Sequence, residues 1–151
     1  MGVSEKVGRE DAVRLARSRY LARDRIDMQS LASELGIGRT TLYRWVGDRE
    51  SLISEVLVEL VGVSLRQSSI EARGKGLDRI VDEMRLFMET TASFLPLRHL
   101  VQTEPELGLR VMIAPGSVVS KAIAEGLGRE LVGSGQGWTR DEAFELASDL
   151  T

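Results

Sequence analysis

The sequence predicts an all-α chain, with a compact three-helix segment at its N-terminus and a larger helical part after it. Three observations carry this. Apolar residues recur at three- and four-residue spacing over nearly the whole length. No alternating β-branched run stands between turn pairs. Glycines fall where periodic segments end, as helix stop signals do.

Each element follows from local chemistry. Ala12, Leu15, Ala16, Arg19, Tyr20 and Arg23 recur at helical spacing, which predicts a first helix from Arg9 to about Arg23. Asp27 is placed to cap a short second helix over Met28–Leu35, and Gly36 stops it. A third short helix spans Gly38–Val46. Gly47 breaks it, and Asp48 caps a long fourth helix whose apolar face (Leu52, Ile53, Val56, Leu57, Leu60, Val61) runs to about Gln67. Ser68–Gly76 reads as a frayed end and loop. Leu77–Ala92 predicts a fifth helix burying Ile80, Val81, Met84, Phe87 and Met88. Pro96, Pro105 and Pro115 punctuate shorter helices between Phe94 and Ile113. Ser117–Val132 is another helix, followed by a glycine-rich loop at Gly133–Gly137. Thr139-Arg140-Asp141-Glu142 has capping-box spacing and opens a last helix with Ala143, Phe144, Ala147 and Leu150 on one face. Thr151 falls inside that pattern, so the sequence is expected to lack a C-terminal piece.

Composition bounds the chemistry. The 151 residues contain no cysteine and one histidine, His99, which excludes disulfides, thiolate sites and multi-histidine metal centres. No metal or other cofactor is expected. No apolar run approaches the roughly 20 residues of a membrane span, and the N-terminus has no signal-like apolar core. A cytoplasmic chain without a membrane partner is the expectation. Carboxylate pairs at Asp82/Glu83 and Glu104/Glu106 are explained by solvated helix faces. The net charge of −3 is uneven: residues 1–50 carry ten Lys/Arg against eight Asp/Glu, a net +2, and residues 51–151 carry ten against fifteen, a net −5. A basic bias permits a polyanion partner, and solvated helix faces explain it equally well.

The second and third helices carry the most information. Leu31 and Leu35 lie one turn apart, Ala32 is small where two helices would cross, Gly36 makes the turn, Ile37 plugs the corner and Leu42 anchors the third helix. Arg39, Thr40, Thr41, Tyr43 and Arg44 are then left facing outward, as a major-groove recognition helix requires. The run Leu35-Gly36-Ile37-Gly38-Arg39-Thr40-Thr41-Leu42-Tyr43-Arg44-Trp45, continued to Arg49-Glu50-Ser51-Leu52, resembles the TetR family of transcriptional regulators over residues 9–57. The resemblance implies a helix-turn-helix DNA-binding domain at 1–50 and a helical ligand-binding and dimerisation domain at 51–151. It implies a homodimer on double-stranded DNA with a palindromic operator, most simply as a repressor. Thr41, Tyr43 and Arg49 would hold phosphates, and Gln29, Arg39, Thr40 and Arg44 would face base edges. Trp45 packs either on a sugar or into the core. Gly38 departs from the family's usual Ser or Thr cap and forgoes a hydroxyl contact.

Residues 98–113, with Glu104-Pro105-Glu106-Leu107, resemble the QsdR-like branch, which implies an acyl-homoserine lactone or γ-lactone effector. A small apolar ligand would meet Met84, Phe87, Met88, Phe94, Leu97, Leu100 and Met112, with His99 and Gln102 as polar anchors. Two other readings stay open at this point. One is a helical small-molecule-binding protein without DNA binding. The other is a small-molecule hydrolase, for which the sequence offers no activated nucleophile.

Overall fold

The computed structural model describes residues 7–135 and 137–149. Among these, all regular structure is helical: α1 (Arg9–Leu21), α2 (Met28–Glu34), α3 (Arg39–Val46), α4 (Arg49–Glu71), α5 (Leu77–Ser93), α6 (Leu95–Thr103), α7 (Pro105–Ile113), α8 (Val118–Gly133) and α9 (Arg140–Asp149). The chain forms two compact units, one ending at Val56 and the other beginning at Leu57.

The first unit closes around Ala12, Val13, Ala16 and Tyr20 of α1, Leu31 and Ala32 of α2, Leu42 and Val46 of α3, and the opening turns of α4 at Leu52, Ile53 and Val56, all buried. The turns between its short helices are set by hydrogen bonding. α1 ends two residues before the expected Arg23 because Arg23 itself is left-handed (φ 63°). Its N–H donates to the Tyr20 carbonyl at 3.0 Å, and the Asp24 N–H reaches back to Arg19 at 2.9 Å. The same wrap closes α2 around Gly36 (φ 67°), with Gly36 N–H on Ser33 at 3.1 Å and Ile37 N–H on Ala32 at 3.0 Å. Both pairs form the 6→1, 5→2 pattern that satisfies the last carbonyls of a helix. Asp27 caps α2 through Ser30 N–H (2.8 Å), and Asp48 caps α4 through Ser51 N–H (2.7 Å).

In the second unit, Leu65, Ile80, Phe87, Ala124, Leu127, Leu131, Ala143 and Ala147 form the core. Two sequence expectations are corrected here. α4 does not fray at Gln67 but continues to Glu71. Ser68 is buried there, and the Arg79 guanidinium donates to the Ser69 carbonyl at 2.6 Å, serving the helix end where the dipole favours a cation. The buried face of α5 is Ile80, Glu83 and Phe87, with Met84 half-buried, whereas Val81 and Met88 are 66% and 62% exposed. The helix carries apolar residues on two sides, and Glu83 lies on the side that packs, buried rather than on the solvated face expected for the Asp82/Glu83 pair.

Pro105 occupies the first position of α7, where its missing N–H costs nothing, with Glu104 as the cap residue. Ser117 Oγ accepts from Val119 and Ser120 N–H to start α8. The Thr139–Glu142 box opens α9, with Thr139 N–H on the Glu142 carboxylate at 3.0 Å and Glu142 N–H on Thr139 Oγ1 at 3.3 Å. Ala143 and Ala147 are fully buried, Phe144 is partly exposed, and Leu150 lies outside the described residues, as does Gln136 of the glycine loop. Pro105–Gly133 proves apolar enough by length and composition to pass for a membrane span, contrary to the sequence expectation. The segment is two helices, interrupted between Ile113 and Val118.

Candidate nucleic-acid interface and ligand cavity

On α3 the residues sort cleanly by side. Leu42 and Val46 are buried, and Thr41 and Trp45 are half-buried beside them. Arg39, Thr40, Tyr43 and Arg44 are exposed, Tyr43 by 41%. Gln29, on the first turn of α2, is exposed as well. α3 contains no acidic residue, and among the described residues no ion pair engages Arg39 or Arg44. The arrangement leaves two guanidinium groups, two hydroxyls and an amide facing water from two adjacent helices.

Other arginines of this unit have structural duties that the charge count concealed. Arg9 Nε donates to the Trp45 carbonyl in the last turn of α3 at 2.9 Å, and its Nη2 pairs with Glu55 at 2.6 Å. Arg19 pairs with Glu34 at 2.6 Å and Asp24 at 3.7 Å, tying α1 to α2. Arg14 pairs with Asp11 within its own helix. Arg49 is half-buried, and its Nε donates to the Ile26 carbonyl at 2.6 Å, holding the α1–α2 connection. Asp48 caps α4 beside it. The Ser51 amide and hydroxyl hydrogen-bond its carboxylate and hold it below the usual carboxylate range.

The second unit contains an apolar cavity of about 260 Å³. Of the residues proposed from sequence, Phe87, Phe94, Leu97 and Met112 line it. Met84, Met88, His99, Leu100 and Gln102 do not. Met88 and Gln102 are exposed, His99 is half-buried, and Leu100 is buried in α6 packing. Sequence reasoning missed the α4 wall, which includes Leu60, Val61, Ser64 and Gln67, together with Thr90 and Thr91 of α5. The available signal was α4 itself, where Leu60, Val61 and Val63 spread over more of the helix than one core stripe requires. No charged side chain lines the cavity. The Ser64 hydroxyl is buried without a hydrogen-bond partner. An orphaned buried hydroxyl at an apolar wall is a ready partner for one polar atom of a ligand.

No protein-family model and no curated protein matches the chain. The structure of the R. erythropolis transcriptional repressor QsdR, from the TetR family, superposes with a TM-score of 0.86 at 34% identity, covering 94% of this chain and 77% of that one. The chain belongs to the TetR family. It resembles the QsdR-like branch in particular, as residues 98–113 led one to expect, and it is a transcriptional regulator rather than an enzyme. The TetR family repressor AlkX from Dietzia sp. strain DQ12-45-1b, implicated in biodegradation of n-alkanes, shares the fold at a TM-score of 0.63 and 23% identity, covering 98% of this chain and 79% of that one. In this TetR-family chain the cap of α3 is Gly38, which makes no side-chain cap bond. Its extended backbone (φ −72°, ψ 148°) still delivers the carbonyl to Thr41 and Leu42 N–H at 3.0 and 3.1 Å.

Proposed function

We propose that the chain is a repressor that binds a palindromic operator as a homodimer in the cytoplasm, and that a small uncharged effector releases it. The observation that carries the DNA reading is the outer face of α3: Arg39, Thr40, Tyr43 and Arg44 exposed on a helix anchored by Leu42 and Val46, without an acid on the helix to neutralise them. In this reading α3 enters the major groove, with Arg39 and Arg44 at base edges alongside Thr40 and Gln29. Thr41, Tyr43 and Arg49 hold phosphates and fix register.

The effector reading rests on the cavity. Its walls carry no charge, which disfavours a carboxylate or phosphate. Its volume of about 260 Å³ lies just under the usual range of about 300–1,000 Å³ for ligand pockets. That favours a compact γ-lactone over a long acyl-homoserine lactone. The lactone carbonyl would accept from Ser64 Oγ, and the alkyl part would lie against Phe87, Phe94, Leu97 and Met112.

The deciding experiment is selection of bound fragments from genomic DNA at moderate salt, followed by competition binding on the enriched site. A single enriched palindrome is expected. Arg44→Ala should lose about 1–3 kcal/mol of discrimination at one base position per half-site. A folded chain that enriches no sequence would replace this reading with that of a helical ligand-binding protein.

A further inference from the structure

A second recess in the same unit differs in chemistry from the apolar cavity. It is a cleft of about 730 Å³ bounded by α4, α5 and α8. One of its lining residues is Glu83, only 1% exposed, whose Oε2 is buried without a hydrogen-bond partner. Glu130 of α8 borders the same cleft, and the two carboxylates share one nearby guanidinium, Arg79. That group is already engaged. Its Nη1 lies 3.3 Å from Glu130 Oε2, and its Nη2 donates to the Ser69 carbonyl at 2.6 Å and the Ser69 hydroxyl at 3.2 Å. Burial, and then the charge of Glu130, push the Glu83 carboxyl above the usual range, against the pull of Arg79 and Ser69. Arg66, Arg129 and Glu125 also border the cleft but are exposed, where water screens them. Glu83 Oε2 is therefore one hydrogen-bond donor short, and among the less exposed groups Arg79 alone faces both Glu83 and Glu130.

We propose that this cleft is a second ligand site, specific for a protonated primary amine with a short alkyl tail. The ammonium donates to Glu83 Oε2 and faces Glu130, and the tail lies along Val58, Leu65 and Ala122. The ammonium suits the vacancy because it supplies three donors and a full charge on a compact head. An alcohol of the same length supplies one weak donor, and a carboxylate adds a further negative charge beside Glu83 and Glu130. This site uses none of the residues that line the apolar cavity, and it stands whether or not a lactone binds there.

The test is a titration of the chain at neutral pH with hexylamine, hexanol and sodium hexanoate, followed by calorimetry and by amide chemical shifts. Hexylamine should bind saturably and at least tenfold more tightly than the other two, with shifts centred on Ser69, Glu83 and Gly126. Glu83→Gln keeps the shape, removes the charge, and should weaken hexylamine at least tenfold. Ala122→Leu fills the cleft while leaving every charged side chain in the sequence and should do the same, so it decides the matter if the glutamine variant fails to fold. The proposal is overturned by an absence of saturable hexylamine binding, by unchanged affinity in both variants, or by shifts that centre on Phe94 and Leu97 of the apolar cavity.

Discussion

Arginines that look alike in the sequence do different work at the scale of single residues. Arg9 and Arg19 are paired with carboxylates of their own unit, whereas Arg39 and Arg44 stand exposed on α3. Arg49, half-buried at the start of α4, belongs to neither group. Its Nε holds the Ile26 carbonyl, and its position in the first turn of α4 is where a helix dipole favours an anion. Arg49→Ala should therefore reduce the salt dependence of operator binding by about one unit of slope. It should also lower stability by about 1 kcal/mol, the worth of one hydrogen bond. Binding isotherms at several salt concentrations and a thermal melt read the two effects separately. An unchanged slope with a lowered melting temperature would leave Arg49 a structural role only. Arg23 makes the complementary case. It occupies the left-handed closing position of α1, where the corresponding position of α2 is glycine. A left-handed backbone costs an L-residue roughly 1–2 kcal/mol. The greater freedom of glycine in the unfolded chain offsets part of this, so Arg23→Gly should raise stability by roughly 0.5–1 kcal/mol in denaturant titration, and a loss of stability would overturn the strain reading.

At the scale of elements, two helix-interior glycines predict effects of opposite sign. A Cβ on Gly128 of α8 would meet Phe144 backbone atoms of α9 at 3.5 Å, an ordinary contact. A Cβ on Gly108 of α7 would meet the Val101 side chain at 3.1 Å and its Cα at 3.3 Å, closer than the α6 backbone yields easily. Gly128→Ala should stabilise by roughly 0.5–1 kcal/mol through helix propensity, and Gly108→Ala should destabilise by about 1 kcal/mol despite the same propensity gain. Chemical denaturation of both variants tests the pair, and stabilisation by both would mean that crowding at α6/α7 relaxes freely. The same physics explains what could be read in advance. Capping signals are local, so Asp27, Asp48 and Thr139 were legible, and each accepts the backbone bond its position implied. The buried side of α5 was not legible, because Val81 and Met88 satisfy helical spacing as well as Ile80 and Phe87 do. Only tertiary packing chose the side that carries Glu83. The end of α4 was hidden for a related reason. Ser68 and Ser69 read as fraying until Arg79, ten residues on, supplied the partner for the last turn. Of the residues read as outward on α3, Arg39, Thr40, Tyr43 and Arg44 were legible because Leu42 sets the orientation of the short helix, whereas Thr41 is half-buried beside it. The cavity wall on α4 was not, since its residues read equally well as core.

The whole molecule adds a constraint that no single site carries. A repressor released by an effector must bind that effector more tightly in the state that binds operator poorly, because a ligand with equal affinity for both states shifts nothing. The coupling is a single free energy shared by the two sites, commonly about 1–3 kcal/mol, or about 5–150-fold. A saturating γ-lactone should therefore weaken operator affinity by a factor in that range, and saturating operator should weaken lactone affinity by the same factor. Anisotropy of a labelled operator with and without lactone gives the first ratio. Calorimetry of lactone with and without operator gives the second. Equal ratios above about fivefold would support one linked equilibrium connecting the cavity of the second unit to the α3 face of the first. A lactone that binds saturably but leaves the operator ratio at one would be a ligand of the cavity without being its effector. Such a result would direct attention to the Glu83 cleft, where the same pair of ratios measured with hexylamine would show which recess is coupled to the DNA.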